Sequence, residues 1–524
     1  MNQSETKTKK PKLNLSENLI ISLVGLALIL IAVTAYYFFE KPTIDNSSLY
    51  NAAQPLKEEL TIAYDQPLLT YEAATFDSTS RSYLANTYEA LVSFDRNFKI
   101  RPALALSWGM INDTTWQFKL RPDLTFHDQS SFEASDVIAS FKRAKSNPLS
   151  ETQNLVTSIK EVKAVDDLTI LIITKNPDPI LLNKLTAIYI IPAESPDHLE
   201  TPIGTGPYSF IQKTNDDKWY FKAFDDYWGQ MPTYRDLHLL YIPDKFTRYE
   251  QFVAGEIDVL AQVPPVFVNT LLTMGYPIAT QPSLETNFLL MGWQDPNSPF
   301  RHQELREALN HLFDPEELKK MTGGFAHPVN QFISRGVFGY NPDIETPTYD
   351  LKLAQKLISS IGLDATSEII LDLPDGLEAF GNYVQAQMHL IGLSLKLNIL
   401  PYADYSDLIS SGKSNFHFLG WRSDLGDASD FFLNVVHSYS EDGQYGFFNR
   451  NRYENTGVDK LIENQERNLL EVDRLKQLQN LMKIVVQDEK IGIPLFESDI
   501  LTAIQVSLSW NPRADSLILA ADFH

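Results

Sequence analysis

The sequence contains no cysteine. Disulfides, thiolate metal sites and thiol catalysis are excluded in one step, and so is the lipid-bearing cysteine of a bacterial lipoprotein. Positive charge is scarce as well: 44 Lys and Arg against 67 Asp and Glu leave a formal net charge of −23 at pH 7. Nucleic acid needs a basic face that follows its phosphates, so it is not an expected partner. A body lying flat on anionic lipid is disfavoured for the same reason. The acidity either maintains solubility or presents a surface that favours cationic ligands or a basic docking partner. Catalytic signatures are missing too, with no serine elbow and no His-Glu helix motif. Neither an enzyme nor a cofactor is expected.

What is present begins with one apolar run. Residues 19–39, LIISLVGLALILIAVTAYYFF, carry no charge, and about 20 apolar residues suffice to cross a bilayer as a helix. Lys7, Lys9, Lys10 and Lys12 precede the run. They place residues 1–18 in the cytoplasm and the large C-terminal body outside. A cleavable signal ending at Val33-Thr34-Ala35 competes with this reading, although the apolar run continues past that point. Either way the body is exported, to the periplasm or outside the cell, and the anchor reading makes it a single-pass inner-membrane protein. Residues 40–59 are polar, with Pro42 and Pro55, and read as a linker.

From residue 60 the chain is patterned as a globular body. Residues 60–64 and 115–120 read as strands, and 80–91 as a helix with Tyr83, Leu84, Thr87, Tyr88 and Leu91 on one face. A helix starts near Ser135. Residues 162–173 are two β-rich runs around Asp166-Asp167. Further on, helices at 304–311, 351–362 and 379–391 alternate with strands at 369–373 and 394–400. That alternation predicts α/β units on a largely parallel sheet. His127-Asp128 has no second ligand at metal spacing, so structural hydrogen bonding is expected of it. Gly204-Thr205-Gly206 lacks the lysine and helix of a phosphate loop.

The run Gly420-Trp421-Arg422-Ser423-Asp424-Leu425-Gly426-Asp427-Ala428-Ser429-Asp430-Phe431-Phe432 concentrates aromatics, a cation and three aspartates. It reads as a metal cage, a catalytic cluster, a cradle for a cationic ligand or a solvated turn. The acids recur every third residue, whereas an EF-hand alternates its ligands and closes with glutamate. Nickel or zinc would want histidines, and His417 and His437 are isolated.

Pro102-Ala103-Leu104-Ala105, Trp108, Leu120-Arg121, Phe126-His127-Asp128 and Asp136-Val137, followed by Gly204-Thr205-Gly206-Pro207-Tyr208 and Gly255-Glu256-Ile257-Asp258, resemble in kind and order the family 5 extracellular solute-binding proteins. These are the peptide, nickel and glutathione receptors of ABC importers. Gln129 stands where that family usually has glycine, which implies a less tight turn. The resemblance implies an α/β, two-lobed periplasmic-binding-protein fold of class II-like type, preceded by the one transmembrane helix. Lobe I would comprise 60–282 and 498–524, with an extra subdomain at about 95–200, and lobe II 283–497. Two crossing strands, near 283–288 and 496–500, would form the hinge.

In peptide-binding members a glycine-tryptophan-x-x-aspartate strand lines the cleft. The matching residues here are Gly420, Trp421, Arg422, Ser423 and Asp424. By the resemblance, their backbone would pair with a peptide as an added strand and Asp424 would meet the α-ammonium. Asp427 and Asp430 are expected to form turns and cap a helix at Phe431. Trp293, where members commonly have asparagine, is counted among the ligand-lining residues. Arg335, Arg422 and Lys413 have the charge to meet a ligand carboxylate. The implied function is a monomeric receptor for oligo- or dipeptides that delivers to the permease subunits of an ABC importer. Receptors for a nickel chelate, haem or glutathione, and a membrane-anchored sensor or chaperone, are the alternatives.

Overall fold

The structure, a computed structural model, describes residues 57–363, 368–441 and 445–524. The expected tail, anchor and nearly all of the linker lie outside the described residues. Among the described residues no helix is long and apolar enough to cross a membrane.

The body is built from its first strand outward. Leu60, Ile62 and Ala63 of strand Glu59–Tyr64 are fully buried, the near-continuous apolar pattern of a strand covered on both faces. It pairs in parallel with Asp236–Tyr241 on one side and Val259–Leu260 on the other. Tyr83, Trp219, Phe221 and Leu237 close the core around it. A four-stranded antiparallel sheet, in the order 105–112, 115–120, 169–174, 159–166, forms the subdomain. Its inner face sets Phe118, Leu120, Ile170 and Ile172 against helix Ala134–Ser146. Burying each such side chain contributes about 1.5–3 kcal/mol.

The strand Ile278–Met291 and the strand Gly492–Ile504 then run antiparallel through the molecule. At one end they join the first lobe's sheet through Val259–Leu260. At the other they join the second lobe's strands through Phe416–Arg422. The main sheet is consequently mixed rather than largely parallel. Only the pairs around Glu59–Tyr64 and around Glu368–Pro374 are parallel, because the crossing strands and the hairpin 208–223 each reverse direction. Two further apolar clusters build the second lobe, one on each face of its strands.

Where the crossing strands pass between the lobes their register breaks, between Pro282 and Thr286. Leu284 takes a left-handed φ of 57° there. Its N–H, which the bulge removes from the ladder, donates to Glu497 Oε1 at 2.9 Å. The irregular point thus falls within the expected hinge segments.

Two local readings change. Helix Ser78–Leu84 is shorter than expected and residues 89–90 form a strand instead. Asn86 ends the helix: its Nδ2 donates back to Ser82 O at 3.1 Å, while its Oδ1 accepts from Ala520 N at 2.7 Å. Gln129 keeps a left-handed φ of 70° without being glycine, so that turn is as tight as the family pattern demands. The Gly204–Gly206 turn has a packing role. A Cβ on Gly206 would lie 2.7 Å from Thr87 O, and Thr205 Oγ1 donates to the enclosed Glu89. His127 clamps this turn through Gly206 O at 2.9 Å, in keeping with the structural role expected of it.

Candidate ligand-binding cleft

The strand Phe416–Arg422 carries Gly420, Trp421 and Arg422 to the boundary between the lobes. One edge pairs with residues 285–291 throughout. The other pairs with Glu368–Pro374 only at His417, so from Leu419 onward no strand covers it among the described residues. A free edge of this kind is what an extended chain needs in order to add itself to a sheet.

Gly420 faces Glu285 across the strand pair, and a Cβ there would lie 2.6 Å from Glu285 Oε1. The missing side chain gives that carboxylate its place. Arg422 bridges several groups: its Nε lies 2.9 Å from Asp424 Oδ1, and its Nη2 donates to Asp515 O at 3.2 Å. Burial raises the pKa of Glu285, Arg422 opposes that rise, and Asp424 adds to it. Asp424, the expected ammonium hook, is thus held by a neighbouring guanidinium two residues away. Ser423 is buried; its N–H donates to Leu284 O at 3.0 Å, tying the loop to the bulge in the crossing strand.

The first lobe supplies a cation that the sequence reading missed. Arg81, on the short helix after the first strand, is buried. Burial works against its charge, but Tyr189, Asp424 and Asp515 outweigh it and hold its pKa above the ordinary arginine value. A basic residue in a Ser-rich helix gave no sign of this, because its partners lie more than a hundred residues away. Of the three cations the sequence offered, only Arg422 is in the cleft. Arg335 is exposed and stacks on Tyr340, and Lys413 is exposed beyond the far end of the strand.

Trp293 is not brought to this group. Met291 is opposite Phe416 and Asn287 opposite Gly420, so Trp293 lies about 20 Å along the strand from Gly420. There its ring packs edge-on against Tyr453 at 5.6 Å and under the Arg306 guanidinium at 4.3 Å. Half-buried, it packs against both apolar clusters of the second lobe.

The three aspartates separate by environment. Asp427 makes a buried bidentate pair with Arg474, both bonds at 2.7 Å, and also accepts from Ser429 N and Oγ. Asp430 accepts from Asn434 Nδ2 at 2.9 Å. Burial, then Asp424 and Asp427, push its carboxyl up to about 7, with Lys184 pulling the other way. A folded-state pKa above the ordinary value means that the native protein holds this proton more tightly than the unfolded chain. Its contribution to stability is therefore complete below about pH 4 and is lost as pH rises towards 7. Asp430→Asn should raise stability at pH 8 by on the order of 1–2 kcal/mol and leave it unchanged at pH 4. Equal denaturation midpoints at both pH values would overturn this account.

At the lobe boundary lies a small pocket in which Arg422 of the second lobe meets Tyr64, Ser78, Gln281, Trp510 and Ser516 of the first, among others. It opens at the carboxyl ends of the strands Glu59–Tyr64 and Val259–Leu260, where α/β sheets place their ligands. Among the described residues, Tyr64 Oη, Arg81 Nε, Gln281 Oε1, Trp421 Nε1, Ser423 Oγ and Trp510 Nε1 are buried without a hydrogen-bond partner in the protein. Such atoms cost about 1–3 kcal/mol each when left unsatisfied. Gathered around the lobe boundary, they form a wall suited to a polar solute. The lobes already touch beside it: Asn183 Nδ2 donates to Leu425 O at 2.8 Å, and the Phe98 ring covers Gly426.

Comparison with known proteins agrees with this geometry. Residues 99–443 match the family described as bacterial extracellular solute-binding proteins, family 5 middle. The chain is 27% identical to the dipeptide-binding protein of Escherichia coli over 410 residues, 70% of this chain and 76% of that one. It is 24% identical to heme-binding protein A of Haemophilus influenzae over 473 residues, 82% and 84% of the two chains. A periplasmic binding protein from Helicobacter pylori, solved in complex with the peptide STSA, superposes with a TM-score of 0.74 at 23% identity, covering 89% of this chain and 98% of its own. The two-lobed fold is therefore that of a periplasmic binding protein. The chain belongs to the family 5 bacterial extracellular solute-binding proteins, which are substrate-binding receptors of ABC transporters and not enzymes.

Proposed function

We propose that the chain captures short peptides outside the cytoplasm by closure of its two lobes and hands them to the permease subunits of an ABC importer. The observation that carries this reading is Asp424 at the end of a half-uncovered strand, facing Arg81 across the lobe boundary. The strand edge offers main-chain bonds to any peptide, whatever its side chains, and the carboxylate offers a charge-assisted bond to the one cation every free peptide has. The peptide ammonium would displace Arg422 from Asp424, while Arg422 keeps its bond to the Asp515 carbonyl. The relatives named for dipeptide and peptide binding support the reading. The haem-binding relative shows that the family also accepts quite different solutes.

Closure would turn on the bulged point of the crossing strands, with the ligand favouring the closed population through its contacts with both lobes. Residues 19–39 would tether the receptor, as a monomer, to the inner membrane with its body outside. Native mass spectrometry of the full chain purified from its own cells tests the ligand class. Peptides of a few residues leaving the protein on activation are the expected result. Haem, glutathione or a nickel chelate in their place would move the assignment to those solutes, and an empty cleft would favour a sensor or chaperone.

A further inference from the structure

Residues 322–328 leave the second lobe and reach across the hinge onto the first. Helix Pro315–Met321, just before them, belongs to the second lobe, where Leu318 joins the core. Gly323 and Gly324 then take left-handed φ values of 69° and 90°. They turn the chain sharply off the helix, a reversal that glycine makes without strain. The turn sets Gly323 against the first lobe: a Cβ on it would lie 3.2 Å from Pro265 Cβ, at the start of helix Pro265–Thr273. Phe325 packs on the first lobe's cluster of Val263, Phe267 and Leu271.

Residues Ala326–Pro328 form a short strand against the crossing strand Gly492–Ile504, with Ala326 opposite Ser498, His327 opposite Glu497 and Pro328 opposite Phe496. Asp499 N donates to Phe325 O at 2.9 Å, and His327 Nε2 lies 3.1 Å from Asp499 Oδ2. The Asp499 side chain is only 5% exposed, and its Oδ1 has no partner among the described residues. His327 is thus the side chain that satisfies this buried carboxylate. On the other edge of the same stretch lies the register break between Pro282 and Thr286, where Glu497 serves Leu284 N. The crossing strand is therefore gripped from both edges where it passes between the lobes.

The lobes touch in this arrangement, through Asn183 Nδ2 and Leu425 O at 2.8 Å. Rotating them apart about Leu284 must either be absorbed by Thr322, Gly323 and Gly324 or pull Phe325 and His327 from their places. A contact made in one lobe arrangement and lost in the other shifts the balance between the two. We propose that residues 322–328 are a strap that holds the lobes closed from outside the cleft, with Phe325 as its anchor and the His327–Asp499 contact as its catch. None of these residues lines the pocket at the lobe boundary. The strap sets the fraction of receptor that is closed before a ligand arrives, and so scales the affinity for every ligand alike. This rests on the reading of closure at the bulge and is indifferent to which solute is bound.

The absence of cysteine makes the test direct. Lys163→Cys in the first lobe and Lys352→Cys in the second, both at exposed positions, take spin labels in the full chain. Pulsed electron double resonance then reads the distance between the lobes without ligand. Phe325→Ala should raise the ratio of open to closed molecules about threefold and His327→Gln about twofold, with affinity falling in step with the closed fraction. Affinity is read by native mass spectrometry with an equimolar pool of tripeptides with free termini. Phe325 is half-buried and His327 exposed, and thermal melts within a few degrees of wild type establish that the variants are folded. If Phe325→Ala melts early, His327→Gln decides alone. Distance distributions that coincide in wild type and variant overturn the proposal, as does an affinity that ignores the closed fraction. Failure of every protein to take up the pool overturns the peptide reading only, because the distances are measured without ligand and still decide on the strap.

Discussion

Arg474→Leu should destabilise this protein by about 3–5 kcal/mol, the usual consequence of leaving one partner of a buried ion pair alone. Arg474 and Asp427 are each only 5% exposed at the side chain, and the fork makes two bonds of 2.7 Å to the two carboxylate oxygens. The pair fixes the loop that follows the cleft strand. Phe338 N donates to Gly426 O and Ala428 N to Phe338 O on either side of Asp427. Arg474 itself lies over the Phe338 ring at 5.3 Å. The double replacement Asp427→Asn with Arg474→Leu should recover most of the loss, because it leaves no uncompensated charge. Urea denaturation of the two variants, followed by tryptophan fluorescence, separates these outcomes. A single variant within 1 kcal/mol of wild type would show that the pair does not hold the loop.

That pair also shows what the sequence could and could not reveal. Strands such as 60–64, 115–120 and 394–400 were legible because their apolar patterns are set locally by burial on one or two faces. Gly420 to Asp424 was legible as a group because the turn and strand chemistry is contiguous in the chain. The split among the three aspartates was not. Asp427 was expected to form a turn, and it does accept from Ser429, but its main partner is Arg474, 47 residues away. Asp430 was expected to cap a helix; the helix there runs only from Ser429 to Phe431 and continues as a wider turn of helix to Val436. Arg81 escaped notice for the same reason as Arg474: nothing in its own neighbourhood marks it, and only the fold brings Asp424 and Asp515 to it. Trp293 misled in the opposite way: a large aromatic just past the end of a cleft-bound strand looks like a ligand contact, but it lies half-buried against Tyr453 and Arg306.

Asp424→Ala should weaken peptide binding at least tenfold while leaving stability almost unchanged. The two effects have different origins. The Asp424–Arg422 pair is partly exposed, with side chains 22% and 21% accessible. Ion pairs in such settings contribute about 0–1 kcal/mol, and Arg422 keeps its bond to Asp515 O when Asp424 is gone. A bound ammonium would be different, because on the proposed reading closure would remove it from water between Asp424, Glu285 and the buried wall around Trp421. A charge-assisted hydrogen bond there is worth about 1.5–3 kcal/mol, which converts to a loss of one to two orders of magnitude in affinity. Glu285, opposite Arg422 on the paired strand, offers a second carboxylate to the same cation. It should limit the loss without restoring wild-type affinity. Calorimetry with a tripeptide and its N-acetyl derivative resolves the assignment as a cycle. Acetylation should cost wild type at least tenfold and Asp424→Ala little more than the mutation already has. Equal sensitivity to acetylation in both proteins would place the ammonium elsewhere in the cleft, with Glu285 the next carboxylate to test.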